Sequence, residues 1–266
     1  MSVVCVIPAR FASQRYPGKP LVQLRGATGQ LKSLIERSWR AACAVSIFDA
    51  VYVATDDGRI ADAAAAFGAE VFMTSAECGN GTERCAEALG QLGDGVEILV
   101  NLQGDAPLTP AWFMEYLVLG LRKAPAADVA TPVLRCDGAT LAAFKADRAA
   151  GRAGGTTAVF DRDAKALFFS KEVIPFTAKV YSDAAPTPVC HHVGVYAYRP
   201  RALRAYPDLS AGRLEQVEGL EQLRFLEHGH TILCVEVEAR GRQFWELNNP
   251  EDVPRIEAMM ADMNMA

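Results

Sequence analysis

The first half of the chain alternates between continuous apolar runs and stretches in which apolar residues recur at helical spacing. Residues 3–7 are β-branched or apolar throughout, stop at Pro8, and have the length of a strand buried on both faces. Residues 31–42 follow a helical period, with charged residues between the apolar ones. Further predicted strands are 50–55, 71–73 and 96–102, and further predicted helices are 60–67, 82–92 and 110–121. Such repeated strand and helix units predict a parallel sheet with right-handed crossovers.

Beyond residue 125 the pattern changes, because short strand-like runs follow one another without a regular helical pattern between them. These runs are 128–134, 156–160, 166–170 and 193–198. They predict a mixed or antiparallel extension of the sheet. Residues 147–155 are small and Gly-rich, which predicts a mobile loop. The remaining predicted elements are a helix at 214–227, a strand at 231–237, and a helix at 250–263 with Asn249 as cap and Pro250 in its first turn.

The length of 266 residues, half of them hydrophobic, favours one large α/β domain over 1–266, with its two halves meeting near residue 125. The formal charge of −5 and the lack of any Lys/Arg run argue against a nucleic-acid partner. Seven cysteines without a C-x-x-C spacing are typical of reduced thiols in a cytoplasmic protein. No apolar stretch approaches the roughly 18 residues of a membrane span. We therefore expect a cytoplasmic protein that acts on a small molecule.

Candidate chemistry first appears in the loop of residues 8–20, directly after the first predicted strand. Arg10, Arg15 and Lys19 lie there beside a Pro-Gly turn, at the sheet edge where open α/β sheets bind ligands. Neither a Walker A loop nor a G-x-G-x-x-G motif is present, which argues against the common ATPase and dehydrogenase classes. The loop is suited to a polyphosphate, although a solvated basic loop is the alternative on residues alone.

The sequence 7–21, IPARFASQRYPGKPL, resembles the signature loop of the 3-deoxy-manno-octulosonate (KDO) cytidylyltransferases, which binds CTP. Further motifs resemble this family in the same order and span nearly the whole chain. They are 53–56 (VATD), 73–74 (MT), 81–84 (GTER), 101–105 (NLQGD), 169–171 (FSK) with 174–175 (IP), 192–196 (HVGVY) with 198–199 (YR), 220–224 (LEQLR) and 250–252 (PED). The resemblance implies an α/β, nucleotide-diphospho-sugar-transferase-like (Rossmann-like) fold, with a nucleotide-binding half at 1–125 and an acceptor-binding, dimerisation half at 126–266.

The resemblance also implies an activity of lipopolysaccharide biosynthesis, the transfer of CMP from CTP to the anomeric hydroxyl of an eight-carbon sugar acid with release of pyrophosphate and with Mg²⁺ as cofactor. Such a displacement at phosphorus needs positioned cations, a metal carboxylate and a shaped acceptor pocket. By resemblance, Arg10, Lys19 and Asp105 are catalytic, with Asp105 on the metal. The implied nucleotide contacts are Ala9, Arg10, Arg15, Lys19, Arg84 and Gln103.

The implied acceptor residues are Lys171, His192, Tyr196, Glu221 and Gln222. Without the resemblance, each of these residues could have a purely structural role. His192 and Tyr196, four apart on a predicted strand, fit a core face with satisfied polar tips. Glu221 and Gln222, on a predicted helix, fit an ordinary surface. Their place in the ordered set of motifs is what favours acceptor binding.

Three positions depart from the family pattern. Asn248 stands where a second metal-binding Asp is usual, so a divalent cation would be held less tightly there, and Glu246 or water is the alternative ligand. Ala106 replaces the Glu of Q-G-D-E-P, and Lys171 replaces an Arg, which gives up bidentate recognition of an anion. A different anionic acceptor, such as an amino-modified sugar acid, and a catalytically impaired nucleotide-binding homologue therefore remain open alternatives. Retention of Arg10, Lys19 and Asp105 argues against the impaired one.

Overall fold

The computed structural model describes residues 1–12, 15–152, 155–242 and 245–265. Two residues of the predicted phosphate loop, Ser13 and Gln14, and two of the predicted Gly-rich loop, Ala153 and Gly154, lie outside the described residues. In chain order the strands are β1 (Ser2–Ala9), β2 (Gln23–Arg25), β3 (Leu31–Ser33), β4 (Ala50–Thr55), β5 (Glu70–Met73), β6 (Val96–Leu102), β7 (Val129–Asp137), β8 (Thr156–Phe160), β9 (Ala166–Ser170), β10 (Pro186–His192), β11 (Val195–Tyr198) and β12 (Ile232–Glu236). The helices are α1 (Leu34–Cys43), α2 (Gly58–Ala66), α3 (Gly81–Leu92), α4 (Ala111–Lys123), α5 (Gly138–Ala149), α6 (Pro200–Ala205), α7 (Arg213–Glu218), α8 (Leu223–Glu227) and α9 (Asp252–Asp262). None of these described helices is long and apolar enough to cross a membrane.

The chain divides into two compact units. The first consists of Met1–Glu115, Tyr198–Arg204 and Ala239–Ala266, and the second consists of Tyr116–Ala197 and Ala205–Glu238. The C-terminal segment thus belongs to the same unit as the N-terminal half. That assignment cannot be read from local patterns, because it depends on contacts between residues far apart in sequence.

The first unit is built on a parallel sheet in the order β5, β4, β1, β6. Seven of the eight residues of β1 are buried, as its continuous apolar sequence predicts for a central strand. Helix α1 begins at Leu34, three residues later than predicted, because 31–33 pair with 23–25 in a small hairpin and the Ser33 side chain accepts a hydrogen bond from the amide of Glu36. The predicted parallel architecture of this half is confirmed.

The second unit contains antiparallel pairing of β7 with β10, β10 with β8, and β8 with β9, while β12 lies parallel to β7. This confirms the predicted partly antiparallel region. The prediction that the strands are joined without regular helices is wrong, because α5 follows β7 directly and takes up the first residues of the supposed Gly-rich loop. Asp137 caps α5 by accepting a hydrogen bond of 2.8 Å from the amide of Thr140. The helix buries only Gly138 and Leu141, so its sequence shows almost no apolar stripe.

Three further predictions need correction. Strand β10 was missed because Pro186 and Pro188 interrupt its sequence, and prolines count against a strand. The predicted helix 214–227 is two helices separated at Gly219, whose φ of 61° lies in the left-handed region. The last helix begins at Asp252 with Glu251 at its N-cap, so Asn249 is not its cap and Pro250 is not in its first turn. There, the Asp252 carboxylate itself accepts the amides of Asn248 and Asn249 at 2.9 and 2.7 Å.

Candidate active site

A cavity of about 420 Å³ opens in the first unit, where β1 and β6 end. These strands are parallel neighbours, with Val6 opposite Asn101, so the loops that follow them emerge at the same sheet edge. All the predicted nucleotide residues and the predicted metal carboxylate line this cavity: Ala9, Arg10, Arg15, Lys19, Arg84, Gln103 and Asp105. The structure therefore brings together residues that the sequence separates by up to 96 positions, from Ala9 to Asp105.

The turn before Lys19 fixes the start of the cavity wall. Gly18 has a φ of 71°, which glycine adopts without strain, and a Cβ there would lie 3.1 Å from the Phe11 ring. The Gly18 amide donates to the Phe11 carbonyl at 2.9 Å, closing the loop on itself. The Pro-Gly sequence thus gives the chain the reversal that directs Lys19 into the cavity.

Lys19 and Asp105 form an ion pair, with Nζ 2.6 Å from Oδ2. Their side chains are 13% and 24% exposed, so the pair is shielded from much of the solvent but still reachable from the cavity. A triphosphate is a stronger anion than a single carboxylate, and a cation is a competing partner for Asp105. The ion pair can therefore separate when both ligands bind, so that Lys19 contacts phosphate and Asp105 contacts the metal ion.

The predicted metal residue Asn248 lies close to this pair through the segment 246–248. The Leu247 amide donates to the Asp105 carbonyl at 2.9 Å, while Leu247 itself is fully buried. On either side of it, Glu246 and Asn248 are linked by a side-chain hydrogen bond. The side-chain oxygen Oδ1 of Asn248 accepts a 2.8 Å hydrogen bond from the Arg15 guanidinium, so this oxygen already has a protein partner.

Glu246 is the carboxylate that sequence reasoning kept only as an alternative. Crowding by surrounding protein atoms, and then the negative charge of Asp105, raise the pKa of Glu246 to about 7, while Lys19 opposes the shift. Its side chain nevertheless reaches solvent. Asp105 and Glu246 are thus neighbouring carboxylates, and two neighbouring carboxylates are a donor set suited to a hard divalent cation.

The amino end of α3 adds groups that the sequence analysis did not single out. Gly79, Asn80 and Gly81 line the cavity, so the partial positive charge at this helix end lies beside it. Asn80 accepts the Glu83 amide at 2.8 Å and Glu83 accepts the Gly79 amide at 2.7 Å. This is a variant of the capping box in which Glu83 accepts the amide of Gly79, the residue before the N-cap Asn80, and the spacing Asn-x-x-Glu is the signal that predicts it from sequence.

Arg84 and Gln103 line the cavity, and other side chains of the protein hold both of them in place. Arg84 is 3% exposed, lies 3.2 Å from Asp56 and donates a short hydrogen bond to Thr74. The Gln103 side-chain amide donates to the side-chain oxygen Oδ1 of Asn101 at 3.4 Å. At Gly81 a Cβ would lie 3.2 Å from the Gln103 amide, so this glycine leaves room for Gln103 in the cavity wall.

In the second unit, His192 and Tyr196 lie on different strands and not on one face of a single strand, because β10 ends at His192 and β11 begins at Val195. Their rings are still 5.7 Å apart, and both residues are buried. The two His192 ring nitrogens lie 2.9 Å from Thr156 and 3.0 Å from Thr131 hydroxyls. Burial lowers the pKa of His192 to about 3, so it is a neutral hydrogen-bonding group at physiological pH.

Glu221 and Gln222 lie in the turn between α7 and α8, which corrects their predicted place on a continuous helix. The Tyr206 hydroxyl holds this turn by donating to the Glu221 carbonyl at 3.0 Å. Gln222 is 3% exposed, and among the described residues its Nε2 has no hydrogen-bond partner. A buried amide donor without a partner is costly, and a polar ligand would relieve that cost.

Lys171 follows β9 directly and lies against the same turn, since a Cβ on Gly219 would be 2.9 Å from its Nζ. On the same strand, the Phe169 ring is 4.9 Å from the His192 ring. The five predicted acceptor residues therefore belong to one connected region of the second unit. They combine one cation, Lys171, with the carboxyl group of Glu221 and the neutral hydrogen-bonding groups of His192, Tyr196 and Gln222, a set suited to a ligand with one carboxylate and several hydroxyls.

The cavity and its cations define a nucleotide-binding protein of the transferase type, and comparison with known proteins agrees. Residues 4–232 match the family model described as Cytidylyltransferase, and the chain belongs to this family. It is 45% identical, over 98% of both chains, to 3-deoxy-manno-octulosonate cytidylyltransferase of Maricaulis maris. It is also 39% identical, over 97% of this chain and 98% of the relative, to 8-amino-3,8-dideoxy-manno-octulosonate cytidylyltransferase of Shewanella amazonensis. The family predicted from the motifs is confirmed.

Solved structures agree with the fold. A structure of CMP:2-keto-3-deoxy-manno-octonic acid synthetase complexed with CTP has a TM-score of 0.83 and 33% identity, covering 99% of this chain and 100% of that chain. A cytidylyltransferase of Leptospira borgpetersenii, at 16% identity and a TM-score of 0.58, covers 97% of this chain and 86% of that chain and shares the fold.

Proposed function

We propose that this chain transfers CMP from CTP to the anomeric hydroxyl of 3-deoxy-manno-octulosonate, releasing pyrophosphate, as a step of lipopolysaccharide biosynthesis in the cytoplasm. The observation that carries the proposal is the cavity of the first unit, where Arg10, Arg15 and Lys19 face Asp105 in a member of the cytidylyltransferase family. The relatives named for this activity support the choice of nucleotide and acceptor. The cytoplasmic location is supported by the seven cysteines, all within the described residues and none in a disulfide.

In the proposed reaction, Arg10, Arg15 and Lys19 bind the triphosphate and hold it for in-line attack on the α-phosphorus. Lys19 stabilises the charge that develops on the transferred and leaving phosphates. The amino end of α3 adds its partial positive charge at the same cavity. Lys171 binds the acceptor carboxylate, and His192, Tyr196, Glu221 and Gln222 position its hydroxyls.

Mg²⁺ is the cofactor we infer for this site. Asp105, with Glu246 and Asn248 near it, offers the oxygen ligands that this ion prefers. Within the described residues, no three His, Cys, Asp or Glu side chains form a metal-binding group, so phosphate oxygens would complete the shell. When bound, the ion neutralises charge on the phosphates.

We infer further that the protein is a homodimer that associates through the second unit. Phe176 and Val180 are 90% and 91% exposed there, and Leu167 is 63% exposed. Large apolar side chains this accessible are typical of an interface. Light scattering on the purified protein, repeated with Phe176→Asp, tests this: a monomeric wild type contradicts it.

The acceptor has a specific second candidate, 8-amino-3,8-dideoxy-manno-octulosonate, because a relative at 39% identity is named for it. The deciding experiment measures pyrophosphate release from CTP with Mg²⁺, offering the two sugar acids separately and identifying the CMP-linked product by mass spectrometry. Higher kcat/KM for 3-deoxy-manno-octulosonate supports the main proposal, and the reverse supports the second candidate. Tight CTP binding without release for either acid would favour the impaired homologue.

A further inference from the structure

The end of β9 and the turn after α7 carry three of the predicted acceptor residues: Lys171 on the first segment, Glu221 and Gln222 on the second. Glu218, the last residue of α7, lies between them and was not singled out from the sequence. Its two carboxylate oxygens have different partners. The Ser170 hydroxyl donates to Oε1 at 2.7 Å, and the Lys171 amide donates to Oε2 at 2.9 Å.

The backbone of Lys171 is thus held by charged side chains on both sides. Its amide donates to Glu218, and its carbonyl accepts a short hydrogen bond from the Arg148 guanidinium. Arg148 also donates to the Gly155 carbonyl, which ties the Lys171 peptide to the start of the strand region that contains Thr156. Charge-assisted hydrogen bonds of this kind are stronger and more directional than neutral ones.

Glu218 is itself held firmly by α7. The Glu227 carboxylate accepts the amides of Leu214 and Glu215 at 2.9 and 3.1 Å, which caps the amino end of this short helix. At the other end, the Gly219 amide donates to the Glu215 carbonyl at 2.7 Å, and Gly219 is left-handed. Because Gly219 has no Cβ, the Lys171 ammonium can lie directly against the turn that leads to Glu221.

We propose that Glu218 is a positioning residue for the acceptor: by binding Ser170 and the Lys171 amide, it sets the place of the Lys171 ammonium relative to Glu221 and Gln222. This inference rests on the proposed function. It goes beyond it, because Glu218 does not need to touch either substrate. Its loss should weaken binding of the sugar acid and leave binding of CTP unchanged.

The test compares Glu218→Ala, Glu218→Gln and Ser170→Ala with the matched control Glu236→Gln. Glu236 is also in the second unit, where it pairs with Arg135, and both of these side chains are exposed. We expect Glu218→Ala to raise the KM for 3-deoxy-manno-octulosonate about ten-fold or more, since two hydrogen bonds to a charged group are lost. Glu218→Gln should have a smaller effect, because its amide oxygen can still accept one donor.

The KM for CTP, and the melting temperature measured alongside, separate positioning from a general structural role. We expect a CTP KM within about two-fold of wild type in every variant. The effects of Ser170→Ala and Glu218→Ala on the acceptor KM should be less than additive, because both changes remove the Ser170–Glu218 hydrogen bond, although Ser170→Ala also removes the acceptor of the Glu172 amide. Ser170→Ala and Glu218→Gln keep the test usable if Glu218→Ala fails to fold.

Calorimetric titration of 3-deoxy-manno-octulosonate into each protein gives the Kd of the sugar acid, which tests the same prediction without turnover. If the wild type is active and both Glu218→Ala and Glu218→Gln keep its KM and Kd for the sugar acid, the positioning role is overturned while the proposed function stands. Equal increases in the KM for both substrates overturn it as well. A wild type that binds CTP but neither binds nor uses the sugar acid overturns the proposed function and this inference with it.

Discussion

The predicted nucleotide residues of the first unit and the predicted acceptor residues of the second unit are built in contrasting ways. In the first unit the functional side chains are mostly charged, line an open cavity and bind one another, as Lys19 does with Asp105 and Arg15 with Asn248. In the second unit His192, Tyr196 and Gln222 are buried and neutral. A triphosphate needs mobile charges that can exchange partners, whereas a sugar acid needs hydrogen-bonding groups already fixed in place.

Histidine distribution adds to this contrast, because all four histidines belong to the second unit. The first unit has a cysteine, Cys78, in the lining of its cavity. Burial raises the pKa of Cys78 to about 11, so its side chain remains a thiol at neutral pH. Reactivity in the first unit therefore depends on fixed cations and carboxylates. Near neutral pH the group whose pKa is raised to about 7 is Glu246, which belongs to the first unit, whereas burial lowers the pKa of His192 in the second unit to about 3.

The largest effect we expect is from Asp105→Asn, which should lower kcat by about 10³-fold or more because it removes the principal carboxylate for the cation. Initial rates of pyrophosphate release at saturating CTP and Mg²⁺ measure it. Asp94→Asn is the matched control, since Asp94 is 97% exposed and pairs with Arg204 at the surface of the same unit. Comparable rates for the two variants would show that the charged cavity is not the reaction site.

The next effect is from Lys19→Ala, for which we expect a kcat about 10²-fold lower, because a positive charge on the reacting phosphates is lost. Lys32→Ala serves as control, because Lys32 lies on β3 and not among the residues that line the cavity. Near-full turnover in Lys19→Ala would show that residues 8–20 form an ordinary solvated basic loop and not a phosphate-binding loop.

A smaller effect, of about several-fold, is expected from Asn248→Asp on the Mg²⁺ concentration that gives half-maximal rate. A second carboxylate near Asp105 should lower this concentration, although Arg15, which now binds Asn248, will compete for the new charge. Mn²⁺ binding followed by electron paramagnetic resonance gives a second readout. An unchanged or higher requirement, together with weaker Mn²⁺ binding in Glu246→Gln, would assign the second ligand position to Glu246.

The smallest expected effect concerns stability. Because burial lowers the pKa of His192 from 6.5 to about 3, the unfolded chain binds more protons than the folded one between these values. Stability should therefore be complete above about pH 6.5 and fall as the pH drops, with His192 contributing up to about 1.4 kcal/mol per pH unit. Urea unfolding from pH 4 to 6.5 should show a shallower pH slope in His192→Asn than in wild type. The exposed His228 provides the control, and an equal loss of slope in His228→Asn would contradict the assignment to His192.

Much of the first unit was predictable because its signals are local. Continuous apolar runs identify β1, β4 and β6, and a helical period identifies α3, since burial of a strand or of a helix face imposes its own spacing. The ordered motifs identified the family, and all the nucleotide-binding residues that they imply line the cavity of the first unit. The second unit was less predictable: α5 has almost no apolar stripe and β10 contains two prolines, so local propensity did not predict either.

The sequence by itself determined the α/β class, the family and the identity of the candidate cations and carboxylates. Only the tertiary structure decided which of these groups meet. Lys19 pairs with Asp105 across 86 positions, and Lys171 binds Glu218 across 47, while residues 246–248 return to the first unit beside Asp105. Hydrophobic spacing and turn residues act over a few positions, whereas these contacts depend on how whole strands pair and pack, and that information is spread over the chain.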